Sequence, residues 1–433
     1  MKILIVSAYF PPQNSIASLR PYSWAKYFSQ AGHDVTVLTT EKKEEPNSLK
    51  LDCTSFKVIE VPLKIPFMKS WRMYKERSNA NADIKTTIKY KILLYLKTIY
   101  NKLSQSTGCF YACRYPDWHD AWAGKAFKLV NDEVWDVVIS TGGPYSVHRI
   151  GLNLKKDKKA KKWVVDWRDL WTRNHIYSGL KIFHPIEKHL EHQFHAHADL
   201  ITTVSEGLAD TLRQMTSTRV EVIYNGYDPD DYKNIVKIPR KNNKRYEIVY
   251  TGTIYRKFRD PAPLFRAVGE LAAEKKLSPD NLHITFAGHK SADLSDMAKA
   301  YGINDYFTYA GFLPREEALL LQYNADACLF LEYNNPSVKG VLTGKLFEYL
   351  YIANYILAIG VAENSEAGAL IKKTNSGVCL GNDINKIKNY ILNIVENKNY
   401  NSIAIKKNFS VIKQFERKRQ AMKLLELLEN RPA

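Results

Sequence analysis

A chain of 433 residues is too long for one ordinary core, so two or three domains are expected. An apolar fraction of 45% and a charged fraction of 25% exclude a disordered or fibrous chain, and no run of eighteen apolar residues offers a membrane-spanning helix. The balance of +18 asks for an anionic partner or surface.

Residues 2–7 are an apolar-rich run, too short for the core of a signal peptide, and read as a buried first strand. Turn residues Pro11-Pro12 follow. A helix is expected over 19–31, closed by Gly32, and a second strand over 33–39. This β–loop–α–Gly–β unit belongs to a parallel doubly wound sheet. Another strand is expected over 56–62. A helix near 118–132 leads to strands at 135–140, 163–166, 200–204 and 220–224. The polar stretch 229–245, marked by Pro239, reads as an interdomain linker. A second α/β series starts at 247–252. Its further strands are expected near 282–287, 306–309, 326–331 and 355–359. Helices near 262–276, 291–301, 314–323 and 343–352 alternate with them. An amphipathic helix over about 410–429 ends the series and is free to pack back on the first domain. The expected division is therefore 1–228, a linker at 229–245, 246–409, and the C-terminal helix within 410–433.

Residues 64–114 hold eleven Lys and Arg against two acids, a surplus of nine and half of the chain's total. Trp71, Tyr74, Tyr95, Leu96, Ile99 and other apolar residues are interleaved. Such a stretch suits an anionic membrane surface. A solvated insertion that packs on its own domain is the second reading, and nucleic acid the third. The five cysteines are scattered. Cys109 and Cys113 stand four apart, but no second close pair completes a zinc site, and no metal is expected. A reduced, cytoplasmic location fits this cysteine usage.

The most informative segment is Gly340-Val341-Leu342-Thr343-Gly344-Lys345-Leu346-Phe347-Glu348-Tyr349-Leu350. A glycine-bearing loop runs into a helix whose first turn carries Thr343, Gly344 and Lys345. A helix N-terminus offers free N–H groups and partial positive charge to a phosphate. Glu348 shares a face with Lys345 and suits ribose hydroxyls. The plainer alternative is a capped core helix with a surface Lys345–Glu348 pair.

The order of segments resembles a GT-B-fold glycosyltransferase of the family 4 type, as in bacterial O-antigen, capsule and exopolysaccharide assembly. The matching pieces are Met1–Pro12 with Gly32–Thr39, Ser140–Ser146, Asp166–Trp171, Thr203–Leu208, Val222–Asp228, Tyr250–Tyr255 and Gly340–Leu350. The resemblance implies an α/β fold of two Rossmann-like doubly wound domains facing a central cleft. It implies a nucleotide-sugar donor of UDP or GDP type, held mainly by the second domain without a metal. Gly252 would let the chain approach the diphosphate. Arg256, Lys257 and Arg259 crowd the following loop, Arg259 in a family-like Arg-Asp-Pro turn. Thr343, Gly344 and Lys345 would complete the cradle, with Glu348 on the ribose. Relatives often carry a Glu-x7-Glu pair, and here Gly340 takes the first position. Relatives also often pair glycines after Pro-Pro, where this chain has Gln13-Asn14-Ser15-Ile16.

In the first domain, Asp169 and then Asp166 are the expected catalytic carboxylates at a strand end, beside Arg168. Arg20, Gly142, Gly143 and His148 are expected at the cleft or acceptor side. His148 also reads as an ordinary helix residue. The histidines at 184, 189, 192, 195 and 197 read as a helix surface. The expected activity is retaining transfer of a sugar to a lipid-linked glycan by a peripheral enzyme at the inner face of the cytoplasmic membrane. A GT-B sugar-nucleotide epimerase is the nearest rival. It would need no acceptor and no membrane surface. A basic nucleic-acid-binding protein is the rival of another class. No nucleic-acid motif supports it, and nucleic acid is not an expected partner.

Overall fold

A strand that is apolar on both faces belongs in a sheet covered on both sides. Lys2–Val6 meets this condition as β1, with Ile3, Leu4, Ile5 and Val6 fully buried. The computed structural model describes residues 1–42, 49–64, 88–110, 113–233, 235, 245–254, 259–288, 292–332, 340, 342–396 and 406–429. Within them β1 is joined by β2 (Asp34–Thr40), β3 (Lys57–Val61), β4 (Trp135–Thr141), β5 (Ala160–Trp167), β6 (Leu200–Thr203) and β7 (Val220–Val222). The order is β3-β2-β1-β4-β5-β6-β7, parallel throughout. The accompanying helices are α1 (Ile16–Gln30), α2 (Ile88–Thr107), α3 (His119–Phe127), α4 (Ser146–Lys156), α5 (His184–His197) and α6 (Glu206–Arg213).

The second sheet contains β8 (Tyr246–Thr251), β9 (Leu282–Ala287), β10 (Phe307–Gly311), β11 (Ala327–Leu331), β12 (Ile356–Ile359) and β13 (Gly377–Gly381). Its order is β10-β9-β8-β11-β12-β13, again parallel. Helices α7 (Ala262–Ala273), α8 (Ala292–Ala300), α9 (Arg315–Asn324), α10 (Gly344–Ile352), α11 (Glu366–Lys373) and α12 (Ile384–Glu396) flank it. Two apolar clusters cover the faces of each sheet. Strand order reverses between β1 and β4 in the first sheet and between β8 and β11 in the second. Ligands of such sheets bind at these switch points, outside the carboxyl ends of the strands.

The C-terminal segment departs from the single helix expected over 410–429. It is α13 (Phe409–Ile412), a 3-10 turn at Lys413–Phe415, and α14 (Arg417–Glu429), with Glu416 extended between them. The cause is a short parallel bridge to the end of the first domain. Tyr227 donates to the Phe415 carbonyl at 3.0 Å, and Arg417 donates to the Tyr227 carbonyl at 2.7 Å. A Cβ on Gly226 would lie 2.3 Å from the Phe415 oxygen, so this crossing requires glycine. Beyond it α14 packs on α1, burying Ala421, Leu424, Leu425 and Leu428 with Trp24 and Phe28.

Of the expected linker, Pro229–Tyr232 form a 3-10 turn. Within the basic segment, α2 is a helix that the sequence reading left unassigned, as it did β13, α11 and α12. Residues Ile92, Tyr95, Leu96, Ile99 and Leu103 recur at helical spacing on α2, and all are exposed. The C-terminus of α2 is tied to the loop after β5, where Gly179 donates to the Thr107 carbonyl at 3.0 Å.

Candidate active site

The carboxyl edges of the two sheets face each other. Loops that follow strands of different domains touch one another across the cleft. Ser205, after β6, donates its hydroxyl to the Gly340 carbonyl at 2.5 Å. The amides of Glu206 and Gly207 donate to the Glu366 carboxylate at 2.9 and 3.2 Å. That carboxylate caps α6 from across the domain boundary, where a helix N-terminus favours negative charge. A Cβ on Gly340, at φ +81°, would sit 2.5 Å from the Leu208 nitrogen. A Cβ on Gly344 would sit 2.7 Å from Ile16. Small residues therefore let the two domains touch.

On the first-domain side the two expected carboxylates differ sharply. Asp166 is fully buried and accepts four hydrogen bonds: Arg20 Nε at 3.0 Å, Arg20 Nη2 at 2.7 Å, and the Thr141 and Thr202 hydroxyls at 2.7 Å each. Burial raises its pKa, but the Arg20 guanidinium and the three donor groups outweigh burial and hold it below the usual carboxylate range. Asp166 is thus a structural anchor rather than a group facing substrate. Arg20 is corrected with it. Its Nη1 donates to the Ile223 carbonyl at 2.6 Å and its ring-facing side lies over Trp24. It fastens α1 to the sheet and does not reach the cleft.

Asp169, three residues on, is exposed and accepts no hydrogen bond from another described residue. Arg168 lies between the two and staples neighbouring loops. It donates to the carbonyls of Gly142 at 2.7 Å, Ala17 at 2.9 Å and Gly143 at 3.0 Å, with its guanidinium over Tyr9. Arg168 and Gly143 thereby mark the β1/β4 switch point. Gly142 is buried, and a Cβ there would meet His148 Nε2 at 2.6 Å. His148 belongs to the core, contrary to its expected place at the cleft. Its Nδ1 pairs with the Ser140 hydroxyl at 2.8 Å, its ring packs on Trp167, and burial pushes its pKa down to about 3. It is a neutral packing residue. Among the five clustered histidines, His195 is likewise buried and accepts from Trp167 Nε1 at 3.0 Å. The others are not buried.

On the second-domain side Gly252 ends β8 at φ +119°, a conformation that favours glycine. A Cβ on it would lie 2.3 Å from Lys345 Nζ. Lys345 leaves the first turn of α10, crosses the β8/β11 switch point and donates to the Tyr250 hydroxyl at 2.9 Å. Its ammonium lies 4.4 Å from the Tyr250 ring centre. No carboxylate pairs with it among the described residues, so the Lys345–Glu348 surface pair is not formed. Thr343 is the N-cap of α10, with extended backbone and no side-chain cap bond. Arg259 acts electrostatically on His175, in the loop after β5: burial lowers the His175 pKa first, Arg259 lowers it further, and Asp169 opposes them. These three residues therefore lie within electrostatic reach of one another. Arg256 and Lys257 lie outside the described residues.

Glu348 is buried and pairs with Arg315 rather than with Lys345. Its Oε1 accepts from Arg315 Nη2 at 2.9 Å, and Arg417 lies at 3.8 Å. Two further acids at the cleft escaped the sequence reading. Glu332 directly follows β11, accepts from the Ser365 hydroxyl at 3.1 Å, and burial with neighbouring Glu366 pushes its pKa up to about 7. Its place at the end of an expected strand was a usable signal. The cross-domain cap made by Glu366 had none.

The family model for Glycosyltransferase Family 4 matches residues 108–231, the stretch that holds Gly142, Gly143, Arg168 and Asp169. No relative is found among curated proteins by sequence. Solved structures give full-length likenesses. Sucrose-phosphate synthase from Thermosynechococcus elongatus is similar with a TM-score of 0.62 at 12% identity, over 98% of this chain and 97% of that one. WaaG, a glycosyltransferase involved in lipopolysaccharide biosynthesis, gives 0.56 at 12%, over 99% and 100%. A variant of TarM from S. aureus gives 0.59 at 10%, over 99% and 100%. Likeness at such identities establishes the fold alone, the GT-B arrangement of two Rossmann-like domains. The chain therefore has the GT-B fold throughout and matches the Glycosyltransferase Family 4 model over residues 108–231 of its first domain.

Proposed function

We propose that the protein moves a sugar from a nucleotide-diphosphate donor of UDP or GDP type to a lipid-linked or polysaccharide acceptor in bacterial surface-glycan biosynthesis. The observation that carries this reading is Lys345. It is a cation without a carboxylate partner among the described residues, held on Tyr250 against Gly252, at a switch point and at a helix N-terminus. A diphosphate suits that place, since the ammonium and the amides of Gly344 and Lys345 face developing negative charge. Arg259 extends the positive field toward the first domain. Fixed charges and dipoles of this kind stabilise a leaving diphosphate without a metal. Glu348 is the carboxylate for the ribose. Asp169 is the group that polarises the acceptor hydroxyl or steadies an oxocarbenium-like charge, and retention is what the family resemblance implies. A related fold, TarM, was solved with UDP, which supports a UDP donor.

The acceptor side of the proposal rests on α2. Its exposed stripe of Ile92, Tyr95, Leu96, Ile99 and Leu103 lies beside Lys91 and Lys102, and Ile176, Ile182 and Ile186 are exposed on either side of Gly179, which is tied to the end of α2. An apolar stripe flanked by lysines suits the surface of an anionic leaflet. The enzyme would work there, at the inner face of the cytoplasmic membrane. WaaG, of the same fold, acts in lipopolysaccharide biosynthesis.

A thermal-shift titration with UDP, GDP, ADP and CMP tests the donor reading. One diphosphate should stabilise selectively, by about 2.7 kcal/mol at a hundred times its dissociation constant. Equal indifference to all four would refute the cradle.

A further inference from the structure

Four charged side chains meet where the two chain crossings pass the donor helix. Asp231 stands on the outgoing crossing and Arg417 on the returning one. Arg315 opens α9, and Glu348 lies on α10. Arg315 Nη2 donates to Asp231 Oδ2 at 2.7 Å and to Glu348 Oε1 at 2.9 Å, and Arg417 Nη1 donates to Asp231 Oδ2 at 3.0 Å. Side-chain exposures are 4% for Arg417, 6% for Glu348, 12% for Asp231 and 19% for Arg315. Two positive and two negative charges balance in this pocket. Buried networks of this kind fix geometry more than they add stability.

We propose that Arg315 is a positioning residue for donor binding, which aims Glu348 and ties that carboxylate to the interdomain crossing through Asp231. The proposal rests on the reading of Glu348 as the ribose carboxylate. One nitrogen of Arg315 hydrogen-bonds both carboxylates, so it links α10 directly to the crossing. Arg417 spans the same two carboxylates more loosely, at 3.0 Å from Asp231 and 3.8 Å from Glu348. A lysine can replace Arg315 in part, because one ammonium is enough to bridge two carboxylates.

The test measures UDP and GDP affinity by calorimetry, with melting temperature alongside, for the unaltered protein, Glu348→Gln, Arg315→Gln, Arg315→Lys and the double variant Glu348→Gln/Arg315→Gln. Each Gln variant should weaken the better-bound diphosphate about tenfold, the double variant no more than Glu348→Gln alone, and Lys should recover most of the loss. Additive losses, or a lowered melting temperature with unchanged affinity in Arg315→Gln, would overturn the positioning role. Unchanged affinity in Glu348→Gln would instead remove the ribose reading, and the role of Arg315 with it. If neither diphosphate binds the unaltered protein, both readings fail. Should Arg315→Gln not fold, Asp231→Asn keeps Arg315 and cuts its tie to the crossing; weaker binding is expected, and full affinity would overturn the coupling.

Discussion

Asp166 and Asp169 stand three residues apart at the end of one strand, and their environments make them opposites. Asp166 is enclosed by Arg20, Thr141 and Thr202, which come from α1, β4 and β6. Removing its charge leaves Arg20 buried and unpaired, which costs about 3–5 kcal/mol. Asp166→Asn should therefore lower the melting point steeply. Asp169→Asn should leave stability within about 0.5 kcal/mol, as for an exposed site. Turnover in that variant should fall by roughly 10² or more if the carboxylate does acid–base or charge-stabilising work. Melting curves and a donor-turnover assay on the two variants check both statements, and an active, unstable Asp169→Asn would invert the assignment. Sequence alone ranked the pair by position. The deciding partners lie between 25 and 146 residues away in the chain, so no local pattern could separate them. The same holds for His148, whose burial against Trp167 and Gly142 is a property of the assembled sheet.

At the scale of elements, the alternation of apolar strands and helices was readable because parallel strands are continuous apolar runs. The lysine at the head of α10 was readable because a glycine-bearing loop preceded it. The direction of Glu348 was not, since Arg315 is 33 residues upstream and Asp231 lies in the other crossing. Helix α2 was missed for a different reason. Its apolar stripe is interleaved with lysines and covers no core among the described residues. That exposed stripe yields a prediction. Replacing Tyr95 and Leu96 with Ser, and Lys91 and Lys102 with Gln, should abolish sedimentation with vesicles rich in anionic lipid, since each lysine near such a surface is worth about 1 kcal/mol. Melting temperature and donor binding should stay near those of the unaltered protein, because these positions are exposed. Undiminished vesicle binding would remove α2 from the membrane reading.

For the whole molecule, two parallel sheets turn their carboxyl edges toward one cleft, and the chain crosses between them twice. The outgoing and returning crossings are bridged at Tyr227, and α14 then anchors the returning chain on the first domain. This arrangement ties the second domain to the first where the chain crosses, while Gly340, Gly344 and Glu366 let the loops meet across the cleft. In the proposed reading the cleft holds a nucleoside diphosphate on Lys345. Calorimetric titration of UDP and GDP into the unaltered protein and Lys345→Ala tests it most directly. Loss of a charge-assisted contact of about 1.5–3 kcal/mol predicts at least about tenfold weaker binding in the variant, with an unchanged melting temperature in the absence of ligand. Equal affinity in the two proteins would contradict the account.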